Sequence, residues 1–148
     1  MISISQDKVD EIQRHAESSY PYECCGLLIG KVRYSESASG TTGSKREVLK
    51  ICPIRNRNVE RAVDRYEMDP NEFNQADKDA RKSGYDIIGI YHSHPDHPPR
   101  PSNFDAERAW AGYSYFIIAV KNGKKETLIS WVFDEAKKGF DEEEIKIG

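Results

Sequence analysis

The sequence predicts a mixed α/β (α+β) domain in which helices flank one mixed β-sheet. Two patterns carry that expectation. Apolar segments of strand length alternate with amphipathic segments of helical period. Sharp stop signals separate them, at Pro21, Gly84, the prolines of 95–101 and Asn122-Gly123. In chain order the elements read helix, two strands, a short strand, helix, strand, helix, then two or three strands. A length of 148 residues fits one compact domain, taken as residues 1–148.

The first helix is expected over Gln6–Ser19, capped by Ser5 and stapled by Ile4 on Val9, with Val9, Ile12 and Ala16 on its buried face. Pro21 ends it. Cys25–Val32 is apolar and strand-like, and Glu47–Ile54 returns as a second strand. Between them, Tyr34–Ser44 is rich in Ser, Gly and Thr and reads as a mobile hairpin loop. Asn56–Arg65 reads as an irregular surface loop, followed by a short strand at Tyr66–Met68. Asp69, Pro70 and Glu72 mark a helix start, with Met68 and Phe73 as its staple, and Gly84 closes that helix after Ser83. Tyr85–Ser93 is a buried strand. A Pro-rich loop, Pro95–Pro101, leads to a third helix from Ser102. Tyr115–Lys121 and Thr127–Phe133 are strands joined by a tight turn at Asn122-Gly123, and Ile145–Ile147 adds a last short one.

Composition narrows the function classes. The formal net charge of -3 argues against a nucleic-acid partner, which favours a basic face. No apolar run approaches the ~18 residues that span a bilayer. The first residues lack a basic region followed by an apolar stretch, so the expectation is a cytoplasmic protein without a membrane partner. The cysteines, Cys24, Cys25 and Cys52, make a poor disulfide framework and lack the CxxC spacing of a thiolate zinc site. They are expected to be reduced, with at least one of the adjacent pair buried.

The segment Tyr91–Asp105, YHSHPDHPPRPSNFD, carries the chemistry. Strand alternation puts His92 and His94 on one face, with Ser93 on the other. A bare His-x-His is more often a pair of hydrogen-bonded surface residues than a metal site. Ser102 and Asp105 have a good structural reading of their own, as a capping box with Asp in place of Glu. Together, two nitrogens and one oxygen match a catalytic zinc site, which takes three protein ligands and leaves the fourth position to water. The prolines of the intervening loop reduce the entropy lost on bringing the helix start to the strand end. A hydrolase also needs a base. The candidate is Glu23, in PYECCGLLIG just before the first strand, although an isolated glutamate there reads as a surface acid.

His92-Ser93-His94, Ser102 and Asp105 match the JAMM motif in type and spacing, and Glu23 within ECCGLLIG resembles its upstream glutamate. The chain therefore resembles the JAMM (MPN+) metallopeptidases from its first helix to at least Phe133. RYEMDPNEF and HSHPDHPPRPSNFD resemble the small prokaryotic members in particular. The resemblance implies a curved sheet flanked by helices, like that of cytidine deaminase. It implies that His92, His94 and Asp105 hold one Zn2+ with a water as fourth ligand. It implies Glu23 as general base and then proton donor, and Ser102 as a stabiliser of the oxyanion. The implied substrate is a ubiquitin-like or sulfur carrier protein ending in Gly-Gly, cleaved after that pair to release C-terminal residues or a cysteine product. Its tail is expected to lie extended beside a strand edge. The enzyme is expected as a monomer or homodimer.

Neighbouring residues are read conservatively. Asp96 and His97 are taken as loop or supporting residues, since a fifth ligand would close the open site. His15 is expected to face solvent, and Trp110, Tyr113 and Tyr115 to pack. Arg100 is a candidate partner for a substrate carboxylate. Two alternatives share the fold: an isopeptidase that releases a ubiquitin-like protein from lysine, and a non-catalytic MPN binding module, which predicts broken ligands. A zinc deaminase needs His-x-Glu and PCxxC, both absent. A barrel amidohydrolase needs about 250 residues.

Overall fold

The expected helices are in place, and the sheet is larger than expected. The computed structural model describes residues 1–36 and 42–148. β1 (Ile2–Ile4) leads into α1 (Gln6–Ser19), and β2 (Cys25–Glu36) and β3 (Thr42–Ile54) form a long hairpin. Then come α2 (Pro70–Lys82), β4 (Asp86–Pro95), α3 (Asn103–Arg108), β5 (Ser114–Lys121), β6 (Lys124–Asp134), β7 (Gly139–Glu143) and β8 (Ile145–Ile147). The strands make one mixed sheet in the order β7-β6-β5-β4-β2-β3-β1-β8.

That order dictates curvature. β7 and β8 stand at opposite ends of the sheet, yet Glu144 alone separates them in the chain. A sheet whose two ends are joined by one residue must curl back on itself. Glu143 fastens the seam. Its carboxylate accepts hydrogen bonds from Ser114 Oγ (2.6 Å) and Ser130 Oγ (2.8 Å) and faces the Arg46 guanidinium at 3.6 Å.

The curl encloses α1. Val9, Ile12 and Ala16, the expected buried face, pack with Ile2, Leu28, Tyr91 and Phe116. On the other face α2 lays Ala76 and Ala80 against Leu27, Ile29 and Ile87. β4 runs between β2, its antiparallel neighbour, and β5, its parallel one. A parallel pair needs a crossover, and α3 with the Pro-rich loop supplies it. The carboxyl end of β4 therefore opens onto that crossover, the usual place for a site in a sheet with parallel strands.

Several local expectations change. Asp69 caps α2 as expected, accepting from the Asn71 and Glu72 amides, and Gly84 follows at φ 79°. Ser5 occupies the cap position of α1 but makes no capping hydrogen bond; its hydroxyl accepts from Lys8 Nζ. The hairpin loop is shorter than Tyr34–Ser44, because cross-strand pairing continues through Tyr34↔Ser44 and overrides weak strand propensity. Residues 37–41 of that loop lie outside the described residues. Tyr66–Met68 is no strand; it makes one bridge, Asn56↔Met68. β1 and β7 were not expected, being short and partly polar. Asn122 and Gly123 both have positive φ, 52° and 82°, as their tight turn requires. His15 does not face solvent: its Nδ1 lies 2.8 Å from the Tyr91 hydroxyl. Tyr115 is buried and Tyr113 half-buried, and Trp110, 63% exposed, lies at the surface with its ring 6.2 Å from that of Tyr113. Among the described residues no helix is long and apolar enough to cross a membrane.

The seam gives a test. Glu143→Ala removes the acceptor of two hydroxyls and the counter-charge of Arg46 and is expected to lower the unfolding free energy by about 2–3 kcal/mol, measured by urea titration. A loss below about 0.5 kcal/mol, the level of an ordinary surface change, would show that the seam does not depend on this carboxylate.

Candidate metal centre

The site is assembled by three neighbours of one strand end. His92 and His94 lie on the face of β4 that carries α2 and the crossover. Both side chains are almost fully buried, and their Nε2 atoms are 3.0 Å apart. The His94 ring is fixed by its far nitrogen, Nδ1, which donates to the Pro98 carbonyl at 2.7 Å. That bond puts the proton on Nδ1 and leaves the Nε2 lone pair free. His92 is held instead by the Tyr66 ring, stacked on it at 4.5 Å and 30°.

Asp105 arrives with the start of α3 and does two jobs. Its amide donates to Ser102 Oγ (3.0 Å) while its Oδ2 accepts from the Ser102 amide (2.9 Å), a complete capping box. The same Oδ2 stands 3.3 Å from His92 Nε2 and 3.4 Å from His94 Nε2. The capping reading is borne out, and the same carboxylate also faces both imidazoles. Burial opposes ionisation of Asp105, but the two imidazoles and the Ser102 amide hold its carboxyl well below the usual carboxylate range. The Pro-rich loop is pinned at Pro98 by His94 and at Pro99, whose carbonyl accepts from Trp131 Nε1 at 3.0 Å. Phe104 lies between the Arg65 and Arg108 guanidiniums, each 4.5 Å from its ring centre, which ties α3 to the loop between β3 and α2.

Three electron-pair donors separated by 3.0, 3.3 and 3.4 Å fit a cation. Tetrahedral zinc with bonds near 2.0–2.1 Å sets its donors ~3.3 Å apart. The two buried thiols, Cys24 and Cys25, are poor competitors. All three cysteines are free, and burial pushes the Cys24 thiol up to about 11 and Cys25 higher still.

Glu23 is brought alongside by backbone pairing. Cys25 is paired with His92, and the Cys24 amide and carbonyl bond Ser93 Oγ (2.8 Å) and the Ser93 amide (3.1 Å). Ser93, on the opposite face from the imidazoles, thereby sets the height of Glu23 beside them. The loop 56–65 completes the clamp. The Glu23 amide donates to the Ala62 carbonyl (2.6 Å), and Asn56 Nδ2 donates to the Glu23 carbonyl (3.1 Å). Asn56 also accepts from the Asn58 and Glu67 amides, so one side chain organises this whole loop. The Glu23 side chain is buried, not a surface acid, and its Oε1 has no partner among the described residues. Burial drives its pKa up to about 8, opposed by His94 and reinforced by Asp105 and Asp64.

The neighbours divide. Asp96, at φ 58°, turns away from the centre: its carboxylate accepts from the Tyr20 hydroxyl and from the Asn122 amide. His97 turns toward it, stacked on His94 at 4.1 Å with Nε2 3.9 Å from Glu23 Oε2. The Arg100 side chain is exposed. An apolar groove of about 410 Å³ ends on Asp105 and is walled by Tyr66, Met68, Phe73, Ile90, Trp110 and Tyr115. The sequence reading missed Tyr66, Asn56 and the Ser93 bridge. Their chemistry is hydrogen bonding and stacking through a loop without periodicity, and no spacing signals it.

Residues 5–134 match the family model described as prokaryotic homologs of the JAB domain. The chain belongs to this family. It is 34% identical over 139 residues to a desampylase of Haloferax volcanii, covering 90% of each chain. A protein of Desulfitobacterium hafniense solved in solution superposes with a TM-score of 0.79 at 33% identity, covering 100% of this chain and 93% of that one. A JAB1/MPN domain protein of Archaeoglobus fulgidus shares the fold at a TM-score of 0.54 and 18% identity, over 99% and 94% of the two chains. This prokaryotic JAB-domain protein is a hydrolase of the JAMM type.

The buried carboxyl of Glu23 makes a prediction for the metal-free protein. Its folded pKa of about 8 lies above the ~4.3 of an exposed glutamate. Between those values the folded state keeps a proton that the unfolded state has lost, so stability falls as pH rises through the window. Chelated protein should lose up to ~1.4 kcal/mol per pH unit from this group, and Glu23→Gln should flatten that slope. Urea titrations at several pH values check it; parallel slopes for the two proteins would contradict the assignment.

Proposed function

We propose that this chain is a zinc-dependent peptidase that acts on ubiquitin-like proteins, cutting after a C-terminal Gly-Gly. The carrying observation is the convergence of His92 Nε2, His94 Nε2 and Asp105 Oδ2 on one point, with the buried Glu23 carboxylate beside it. Zinc held by these three residues would polarise the scissile carbonyl and lower the pKa of a bound water.

The chain's own residues do the rest. Glu23 accepts the proton of the attacking water and delivers it to the leaving amine. A dication held nearby would favour the Glu23 carboxylate over the acid, the form a base needs. The Ser102 hydroxyl accepts from the Asp105 amide, which leaves its hydrogen free to donate to the oxyanion. The apolar groove ending on Asp105 suits an extended tail, with glycines where the passage narrows and side chains further out. The tail cannot lie against a free edge of the strand that carries the histidines, because His92 is paired with Cys25 on one side and Ile117 on the other. The backbone that borders the groove is Tyr66–Met68, the position for main-chain bonds to a tail.

The sulfur-carrier reading predicts release of C-terminal residues or a cysteine product. The desampylase relative favours the second reading, release of a ubiquitin-like modifier from lysine. One assay separates them: the zinc form is given a Gly-Gly carrier with extra C-terminal residues and, in parallel, the same carrier joined to a lysine side chain. Cleavage of the linear substrate by at least tenfold in preference supports carrier processing; the reverse preference supports deconjugation. No cleavage of either overturns the proposal.

Two substitutions test the roles. Glu23→Gln should keep zinc and lose on the order of 10²–10⁴ in turnover, the worth of a general base. Asp105→Asn should lose zinc in an equilibrium metal assay. Turnover retained by Glu23→Gln would remove Glu23 from the mechanism.

A further inference from the structure

His97 and Glu23 face one another in a way the proposed mechanism does not use. His97 Nδ1 donates to the Pro95 carbonyl at 2.8 Å, so in the neutral ring Nε2 carries a lone pair and no proton. That lone pair stands 3.9 Å from Glu23 Oε2, too far for a hydrogen bond, and the other Glu23 oxygen, Oε1, is buried without a partner. Once Glu23 is ionised, two acceptors face each other, one on a buried side chain and one on a half-buried ring, with no positive group between them among the described residues.

We propose that Glu23 and His97 form a second, weaker site for a divalent transition metal such as zinc, and that filling it inhibits the enzyme. The inhibition, though not the binding, rests on the reading of Glu23 as the base. The donor types are right for zinc, one imidazole nitrogen and one carboxylate. Glu23, His94 and His97 offer ligand atoms within 4.8 Å of one another, a cluster that shares only His94 with that of His92, His94 and Asp105. The His97 ring is stacked on His94, offset by 4.1 Å and tilted by 22°, so a cation in its plane is not the one held by His94. His97 is therefore no fourth ligand of the first centre. The weakness follows from the same geometry. Only two protein ligands are free, since the other His94 nitrogen is bonded to Pro98. Bonds of ~2.0–2.2 Å bridge 3.9 Å only at an opened angle. A cation there occupies the Glu23 carboxylate and denies it to the water proton.

The test is calorimetric zinc titration of chelated protein, with turnover followed in the same zinc buffers. All forms carry Cys52→Ser, which removes the half-buried thiol as a rival ligand. The parent should show two steps, the second at least tenfold weaker, with turnover falling as the second fills. His97→Ala should show the first step alone and resist inhibition to at least tenfold higher zinc; His97→Gln serves if the alanine form does not fold. A single step in the parent, or a second step that survives loss of His97, overturns the proposal. Those outcomes leave the base assignment intact. If Glu23→Gln keeps both its turnover and the first step, the base assignment fails instead.

Discussion

Three electron-pair donors cannot be buried within 3.4 Å of one another unless something positive joins them. His92 Nε2, His94 Nε2 and Asp105 Oδ2 are in that position, and much of the architecture serves to keep them there. Buried charge without a partner costs several kcal/mol. The same donors around a cation stabilise the fold, so metal affinity and folding stability are linked. The cluster accordingly sits where the chain is most constrained: a strand paired on both sides, a loop rich in proline, and a helix start whose capping carboxylate also faces the imidazoles.

The dual use of Asp105 is the economical part of this arrangement. One carboxylate oxygen both closes the capping box with Ser102 and faces the imidazoles, so formation of α3 also completes the cluster of three donors. Glu23 is placed by another device. The two bonds between Cys24 and Ser93 lock the chain before β2 against the strand that carries both histidines, and Asn56 and Ala62 hold its other side. Gly26 belongs to the same device, since a Cβ there would lie 2.2 Å from the Tyr91 ring that fills the far face. The curl of the sheet, fastened by Glu143, keeps α1 on one side and leaves the other to the chemistry.

The parts legible in the sequence are those written in short-range code. His-x-His, Ser-x-x-Asp, the Asp69-Pro70 helix start and the Asn122-Gly123 turn each specify geometry within a few residues. Long-range pairing was not legible. β7 reads GFDEE, with no apolar alternation, and becomes a strand because β6 offers a partner. The inward turn of the half-buried His15 depends on a tyrosine 76 positions away. Ser5 has the right residue type for a cap, yet its hydroxyl goes to Lys8, a choice that propensity does not decide. Asn56–Arg65 reads as a surface loop and Tyr66–Met68 as a strand, yet together they wall the cluster, because Asn56 organises them through hydrogen bonds that leave no periodic mark.

Zinc X-ray absorption on protein purified without chelator tests the central claim most directly. The account predicts a four-coordinate site of nitrogen and oxygen donors near 2.0–2.1 Å, with the multiple-scattering signature of two imidazoles and no sulfur. A Zn–S shell near 2.3 Å would place the metal on Cys24, Cys25 or Cys52 and contradict it. Absence of stoichiometric zinc would contradict it as well.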